Sequence, residues 1–298
     1  MRILLLTVLF TAFMLPAAEK ISFVRPLETG SCFRCFVQTR QSARYTFRIP
    51  GRDDPKIKLD TVQADFAGWL RIRQVNAAGS PAAVGIRIDR LVGSLNGKDV
   101  QNIFPAGTWL DAVLSPERSE FTVNGKPVPP EFHALLSVLF PPAESSLSEL
   151  TGPERILPKP GQGWRPDLAS FLKQLKQRRI QLPASAFRSG ITYFGPERVG
   201  KFSCRKFGLL IETAKPSDFD CRIKMTFWMA PSGPPVRMTR EAREVIRQVL
   251  RADQPFSYGT VVDLLCEDYT EQILFPVERI PDPVPTGKKS GTWDSLIR

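Results

Sequence analysis

The sequence predicts an α+β fold leaning to mainly β, with antiparallel sheets in two β-rich halves and about three short amphipathic helices. Apolar and polar residues alternate in many short segments, which is the period of a half-buried strand. Helical periodicity is confined to a few segments. The chain of 298 residues also contains 27 prolines, which interrupt regular segments too often for a helical bundle.

The N-terminus has the order of a secretory signal peptide. Met1-Arg2 precedes an apolar stretch over residues 3–15, and the small residues Pro16-Ala17-Ala18 follow it. The stretch is shorter than the roughly 20 residues that a membrane-spanning helix needs. We therefore expect residues 1–18 to be a signal peptide, the protein to be secreted or periplasmic, and no membrane span to follow. An uncleaved N-terminal anchor is the alternative.

Strand-like alternation is clearest in four segments. They are residues 45–49, 70–73, 84–89 and 223–229. Strands of a parallel sheet are covered on both faces and form continuous apolar runs, so this alternation favours antiparallel pairing. Asn124-Gly125 lies between two further strand-like segments and tolerates positive φ at both turn positions, which predicts a β-hairpin.

Three segments have the apolar spacing of an amphipathic helix. Residues 167–180 place leucines and a phenylalanine at i, i+3, i+4 and i+7, and cations follow near the end. Residues 240–251 follow Thr239 as a candidate N-cap. A weaker pattern covers residues 130–140 and ends before Pro141-Pro142.

Composition divides the chain that follows the predicted signal peptide into two halves and a tail. Residues 141–163 are rich in Pro, Ser, Glu and Gly, and they separate a β-rich N-terminal half, residues 19–157, from an α+β C-terminal half, residues 158–280. The tail, residues 281–298, has no regular period. We detect no residue-level repeat between the halves.

The motifs of common catalytic sites are missing from the sequence. His133 is the single histidine, which excludes a multi-histidine metal site, and no Gly-x-Ser-x-Gly sequence accompanies it. No Walker or dinucleotide-binding glycine loop and no nucleic-acid motif occurs. We therefore expect no metal and no cofactor, and a non-enzymatic protein is favoured.

Two weaker patterns that could indicate catalysis have non-catalytic interpretations. Ser170 and Lys173 match a Ser-x-x-Lys pair on a helix, but its partner motifs do not occur. The carboxylate pairs Asp53-Asp54 and Glu267-Asp268 are interpreted as solvated turns.

The five cysteines predict a disulfide rather than a redox centre. Cys32 and Cys35 form a Cys-x-x-Cys, but strand-like residues follow it where a thioredoxin-like site needs a helix. A zinc site using this pair and two distant cysteines is an open alternative. We expect Cys204 and Cys221 to be bonded across a hairpin.

The charge pattern gives the one candidate binding surface. The formal net charge is +11, and five arginines occupy outward positions of predicted strands, a group named here the basic face: Arg44, Arg48, Arg71, Arg73 and Arg87. Such a face suits an anionic envelope component or an acidic protein. The alternative is that these arginines are ordinary solvated positions paired with Asp89 and nearby acidic residues. The predicted function is an exported, non-enzymatic, β-rich protein that binds a partner, ligand or anionic surface in the cell envelope. An exported hydrolase or thiol-redox enzyme is the alternative.

Overall fold

A computed structural model describes residues 20–23, 27–76, 80–101, 104–115, 118–141, 147–215, 217–249 and 260–281. The predicted signal peptide and almost all of the tail lie outside these residues. The predicted fold class is confirmed, because the described residues form antiparallel β-sheet with three short α-helices. None of the described helices is long and apolar enough to cross a membrane.

The elements of the described residues run from Lys20 to Val277. The strands are β1 Lys20–Ser22, β2 Cys32–Arg48, β3 Lys56–Val75, β4 Pro81–Leu95, β5 Lys98–Gln101, β6 Thr108–Leu114, β7 Ser119–Val123, β8 Lys126–Pro127, β9 Glu154–Ile156, β10 Gly163–Trp164, β11 Phe187–Val199, β12 Phe202–Thr213, β13 Phe219–Met229, β14 Pro235–Val249 and β15 Val261–Val277. The helices are α1 Pro130–Leu139, α2 Leu147–Thr151 and α3 Ala169–Gln177, with a 3-10 turn at Ala184–Ala186.

Thirteen of the strands in the described residues form one continuous antiparallel sheet. Its order is β10-β11-β12-β13-β14-β15-β2-β3-β4-β6-β7-β8, and β5 pairs with β4. β1 and β9 form a separate two-stranded sheet. The C-terminal strand β15 pairs with β2 from Val261↔Arg48 to Val277↔Cys32, so it joins the two halves of the chain into the same sheet.

Alternation along the paired strands defines two faces of this sheet. The inner face carries Phe33 and Val37 of β2, Phe66 and Leu70 of β3, and the residues in register with them. The outer face carries the intervening residues, such as Arg34 and Trp69. A strand has a side-chain period of two, so residues an odd number apart on a regular strand lie on opposite faces.

Each lateral part of the inner face is covered by a helix. Helix α1 buries Leu135, Leu136 and Leu139 against β2, β3 and β4. Helix α3 buries Phe171 and Leu175 in a second core with β11, β12 and β13. The predicted helices over residues 130–140 and 167–180 are thereby confirmed, with slightly shorter bounds for the second.

The predicted helix over residues 240–251 is wrong. The residues of this segment that the structure describes belong to β14, which pairs with β13 and β15 along most of its length. A helical face could be formed by Ala242, Val245 and Ile246. The same residues also fit a strand, in which Ala242 and Ile246 lie on one sheet face and Val245 lies on the other. Pairing on both sides outweighs a helix propensity of a few tenths of a kcal/mol per residue.

Local signals in the sequence are accurate elsewhere. The predicted hairpin forms between β7 and β8, where Asn124 has φ 50° and Gly125 has φ 74°. All four segments predicted as strands lie in or overlap strands β2, β3, β4 and β13. These elements depend on short-range patterns, so sequence reasoning identifies them without the sheet order.

Candidate functional site

A large cavity opens on the inner face between the two helix-covered regions. Its volume is about 770 Å³, within the range of roughly 300–1,000 Å³ that is typical of small-molecule sites. One wall is apolar and comes from β2, β3 and β4 through Phe33, Leu70, Ile72 and Val84. Met225 and Met238 contribute to the opposite wall from β13 and β14.

The position of the helices explains why a cavity remains. The core beneath α1 involves β2 to β4, and the core beneath α3 involves β11 to β13. The strands between them, β14 and β15, bring few fully buried apolar residues to either core. The end of α1 and the short helix α2 border the cavity through residues such as Val138, Leu139, Leu147 and Leu150.

Polar residues occupy the floor of the cavity. We call this set the polar strip, and it comprises Gln41 of β2, Arg240 of β14, and Asp268, Thr270 and Gln272 of β15. Arg240 donates a hydrogen bond to Asp268, and the two form an ion pair in which both side chains are largely buried. Thr270 shares a hydrogen bond of 3.0 Å with the fully buried Thr39.

A second ion pair lines the cavity. Arg178, immediately after α3, donates to Glu244 of β14 at 2.6 Å. The hydrogen bond from Arg178 to Glu244 raises the pKa of the Arg178 guanidinium. The pair connects α3 to the central part of the sheet.

The five arginines of the basic face share the outer face, as expected from their alternation. Arg48 is paired with Asp263 at 2.9 Å, and Arg73 is paired with Asp111. Within the described chain, no ion pair is found for Arg44 or Arg71. Arg71 of β3 is opposite Cys32 of β2, which lies twelve residues from Arg44 along the strand. At 3.3 Å per residue the two arginines are therefore about 40 Å apart. Anion binding by this face stays a prediction.

Arg87 lies on the outer face of the sheet, but its side chain is shielded from solvent. Its side chain is only 5% exposed, and its guanidinium lies over the Trp69 ring, 5.2 Å from the centroid. Arg34 lies over the same ring at 4.7 Å, and both arginines form ion pairs with Asp89. Arg87 also donates to the carbonyl oxygen of Pro281. Alternation gives the face of a residue but not what covers that face.

The predicted disulfide between Cys204 and Cys221 is wrong in this structure, where both residues are free. They lie at opposite ends of the β12–β13 hairpin, because Arg205 pairs with Met229 and Glu212 with Arg222. This register separates them by about 30 Å. The sequence interval between two cysteines does not show how far from the turn each one lies.

Cys32 and Cys35 also lie apart, on opposite faces of β2. Cys35 packs in the inner core, and Cys32 faces outward. Residues three apart on a strand cannot direct their thiols to one point, so this pair forms neither a dithiol centre nor one side of a zinc site. The described residues contain no group of three or more potential metal ligands.

Thiol reactivity tests this arrangement. Burial raises the pKa of Cys221 to about 12 and also raises the pKa of Cys35. The thiolate is the reacting species, so we expect iodoacetamide to leave both unmodified in the native protein at pH 8. Denaturation without reductant should expose all five cysteines to labelling. Mass spectrometry that finds Cys204 joined to Cys221 would restore the disulfide.

The remaining candidates have structural environments. The Nε2 atom of His133 lies 2.9 Å from the Ser119 carbonyl oxygen, and its ring packs against Phe121. Ser170 and Lys173 lie on α3, outside the cavity lining, and Lys173 is exposed.

The two carboxylate pairs differ from each other. Asp53-Asp54 forms an exposed bend, as expected. The turn predicted at Glu267-Asp268 is wrong, because both residues lie in β15 and Asp268 faces the cavity.

Sequence reasoning missed the polar strip. Its members come from three strands, and their common location depends on the pairing of β15 with β2, more than two hundred residues away. One local signal was present: polar Thr39 and Gln41 continue the inner-face positions that begin with apolar Phe33 and Val37. The helical interpretation of residues 240–251 concealed Arg240.

Comparisons with known proteins identify no family. No family model and no curated protein matches this chain. One solved structure is of a protein from Bacteroides fragilis NCTC 9343 assigned as exported, with a YmcC-like fold; it is 13% identical and has a TM-score of 0.20, and the match covers 88% of this chain and 100% of that one. A DUF1329 family protein from Desulfovibrio piger ATCC 29098 is 12% identical with a TM-score of 0.19, over 77% of this chain and 83% of that one.

Proposed function

We propose that this protein is an exported, non-enzymatic binding protein that holds a small, largely apolar molecule in the cavity on the inner face of its sheet. The observation that carries the proposal is the cavity itself, which is large and mainly apolar and lies next to a small set of polar groups. Binding sites for small molecules have this composition. The signal-like pattern of residues 1–18 supports export.

Binding is favoured over the alternative of a hydrolase or thiol-redox enzyme. The Ser170 and Lys173 pair lies outside the cavity lining. The thiols of Cys32 and Cys35 are on opposite sheet faces. The charged groups that do line the cavity are engaged in ion pairs. A catalytic acid or base needs a group that is available to exchange protons with a substrate.

Filling the cavity should abolish binding. Ala242 lies on the cavity floor beside the polar strip, so Ala242→Trp would place an indole ring in the space for the ligand. We expect the neutral fluorescent probe N-phenyl-1-naphthylamine to bind the wild type and to lose at least about tenfold in affinity, or about 1.4 kcal/mol, in the variant. Fluorescence titration measures the effect.

The matched control is Glu241→Trp, one residue earlier on the same strand. Glu241 is exposed on the outer face, so this variant should bind the probe like the wild type. Circular dichroism melts establish that both variants are folded. Equal probe affinities for Ala242→Trp and the wild type, or no binding by the wild type, would contradict the proposed function.

A further inference from the structure

The charges that line the cavity compensate one another. In the described part of the chain, four charged residues line it: Arg178, Arg240, Glu244 and Asp268. Each arginine is joined to one carboxylate, Arg240 to Asp268 and Arg178 to Glu244. The cavity therefore presents polar groups with no net charge, although the whole protein is strongly basic.

The uncharged members of the polar strip are suited to hydrogen bonding. Gln41 and Gln272 each carry an amide that both donates and accepts, and the Thr270 hydroxyl can do the same. The apolar wall is adjacent, because Gln272 is in register with Val37, whose side chain also lines the cavity. A ligand that spans both regions must have an apolar part and a polar part.

An ionic head group would disturb the Arg240–Asp268 pair. Asp268 is 18% exposed and Arg240 is 27% exposed. A carboxylate or phosphate that bound Arg240 would compete with Asp268 for the guanidinium in a partly desolvated site, and an ammonium group that bound Asp268 would compete with Arg240 for the carboxylate. Separating such a pair is costly. A neutral head group can bind the amides and hydroxyl while the pair remains intact.

We infer that the ligand is an amphiphile with an uncharged, hydrogen-bonding head group, such as a hydroxyl, ester or amide, and an apolar chain. The chain packs against the wall formed by Leu70, Ile72 and Val84, and the head group lies at the polar strip. This inference rests on the proposed function, since it names the chemical class of the molecule that the same cavity holds.

The test is displacement of bound N-phenyl-1-naphthylamine by three amphiphiles with the same chain length. They are 1-dodecanoylglycerol, dodecanoate and dodecylammonium, each used below its micelle-forming concentration. We expect the neutral glycerol ester to displace the probe at a concentration at least about tenfold lower than either ion. Equal potency of the three, or stronger displacement by an ion, would overturn the inference and leave the proposed function intact.

Changing the charge of the strip should change this preference. Asp268→Asn leaves Arg240 uncompensated, so dodecanoate should gain at least about tenfold in potency relative to the ester. The control is Asp263→Asn, on the outer face of the same strand, which should leave the preference unchanged. The double variant Arg240→Gln/Asp268→Asn removes both charges, so an ionic head group would lose hydration there without meeting a counter-charge, and the preference for the neutral ester should persist. A preference that does not respond to Asp268→Asn, or one that is lost in the double variant, counts against the inference.

Discussion

Asp89→Ala is expected to lower the free energy of unfolding by about 3 kcal/mol, near the lower end of the range for an ion pair broken in a protein interior. Asp89 accepts hydrogen bonds from Arg34 and from the Trp69 indole, the latter at 2.9 Å. Its other oxygen lies 3.4 Å from Nε of Arg87. One carboxylate thus compensates two arginines that are stacked on the same tryptophan.

The size of the effect follows from burial. Arg87 is 5% exposed, while Arg34 and Asp89 are 20% and 24% exposed. Removing Asp89 therefore leaves two neighbouring positive charges with little access to water. We place the value near the lower end of the range because solvent still reaches Asp89 and Arg34. Urea denaturation followed by circular dichroism avoids the direct effect of the substitution on Trp69 fluorescence.

Asp111→Ala is the matched control on the same face of the sheet. Asp111 pairs with Arg73, and both side chains are 49% exposed, so its loss should cost less than about 1 kcal/mol. Adding Arg34→Met to Asp89→Ala should recover part of the lost stability, because it removes one of the two uncompensated cations. Equal losses for Asp89→Ala and Asp111→Ala would show that burial of the cluster does not determine its contribution.

The face on which Arg87 lies could be predicted from the sequence, but its contacts with Trp69 and Asp89 could not. Alternation alone correctly placed Arg87 and the other four arginines on one face. It could not show that a β-bulge between Ala67 and Gly68 gives β4 an extra residue, so that Arg90 pairs with Ala67 and Ile88 with Gly68. Asp89 is the residue between them.

Predicting the candidate site from the sequence would require knowing pairings between strands that are still farther apart in the chain. The hairpin at Asn124-Gly125 and the helices α1 and α3 follow from patterns within a few residues, and all were predicted. The cavity arises because β15 pairs with β2 and β14 pairs with β15. Neither pairing can be recognised from the local sequence pattern. Arg240 and Asp268 meet only in the finished sheet, so the polar strip could not be assigned before the strand order was known.

Gly68 should tolerate alanine much less well than a glycine at a comparable position. Gly68 is an inner-face residue at the β3–β4 bulge, and a Cβ added there would lie 2.2 Å from the Arg87 carbonyl oxygen and 2.4 Å from Cζ of Phe66. Backbone at this distance cannot move aside without shifting the pairing of β3 with β4. Because Leu70, Ile72 and Val84 of these strands form the apolar wall, the shift would also deform the cavity.

We expect Gly68→Ala to lower the free energy of unfolding by about 3 kcal/mol, the upper part of the usual range for overpacking, and to weaken probe binding. Gly190→Ala provides the control, since Gly190 lies within β11 and a Cβ there meets no atom within 4 Å. That change should raise stability by about 0.5 kcal/mol, because alanine loses less backbone entropy on folding. Urea denaturation of both variants decides between the expectations. If Gly68→Ala were as stable as Gly190→Ala, the close approach of β4 to Gly68 would not be a constraint on this sheet, and the wall of the cavity would owe its position to the side chains alone.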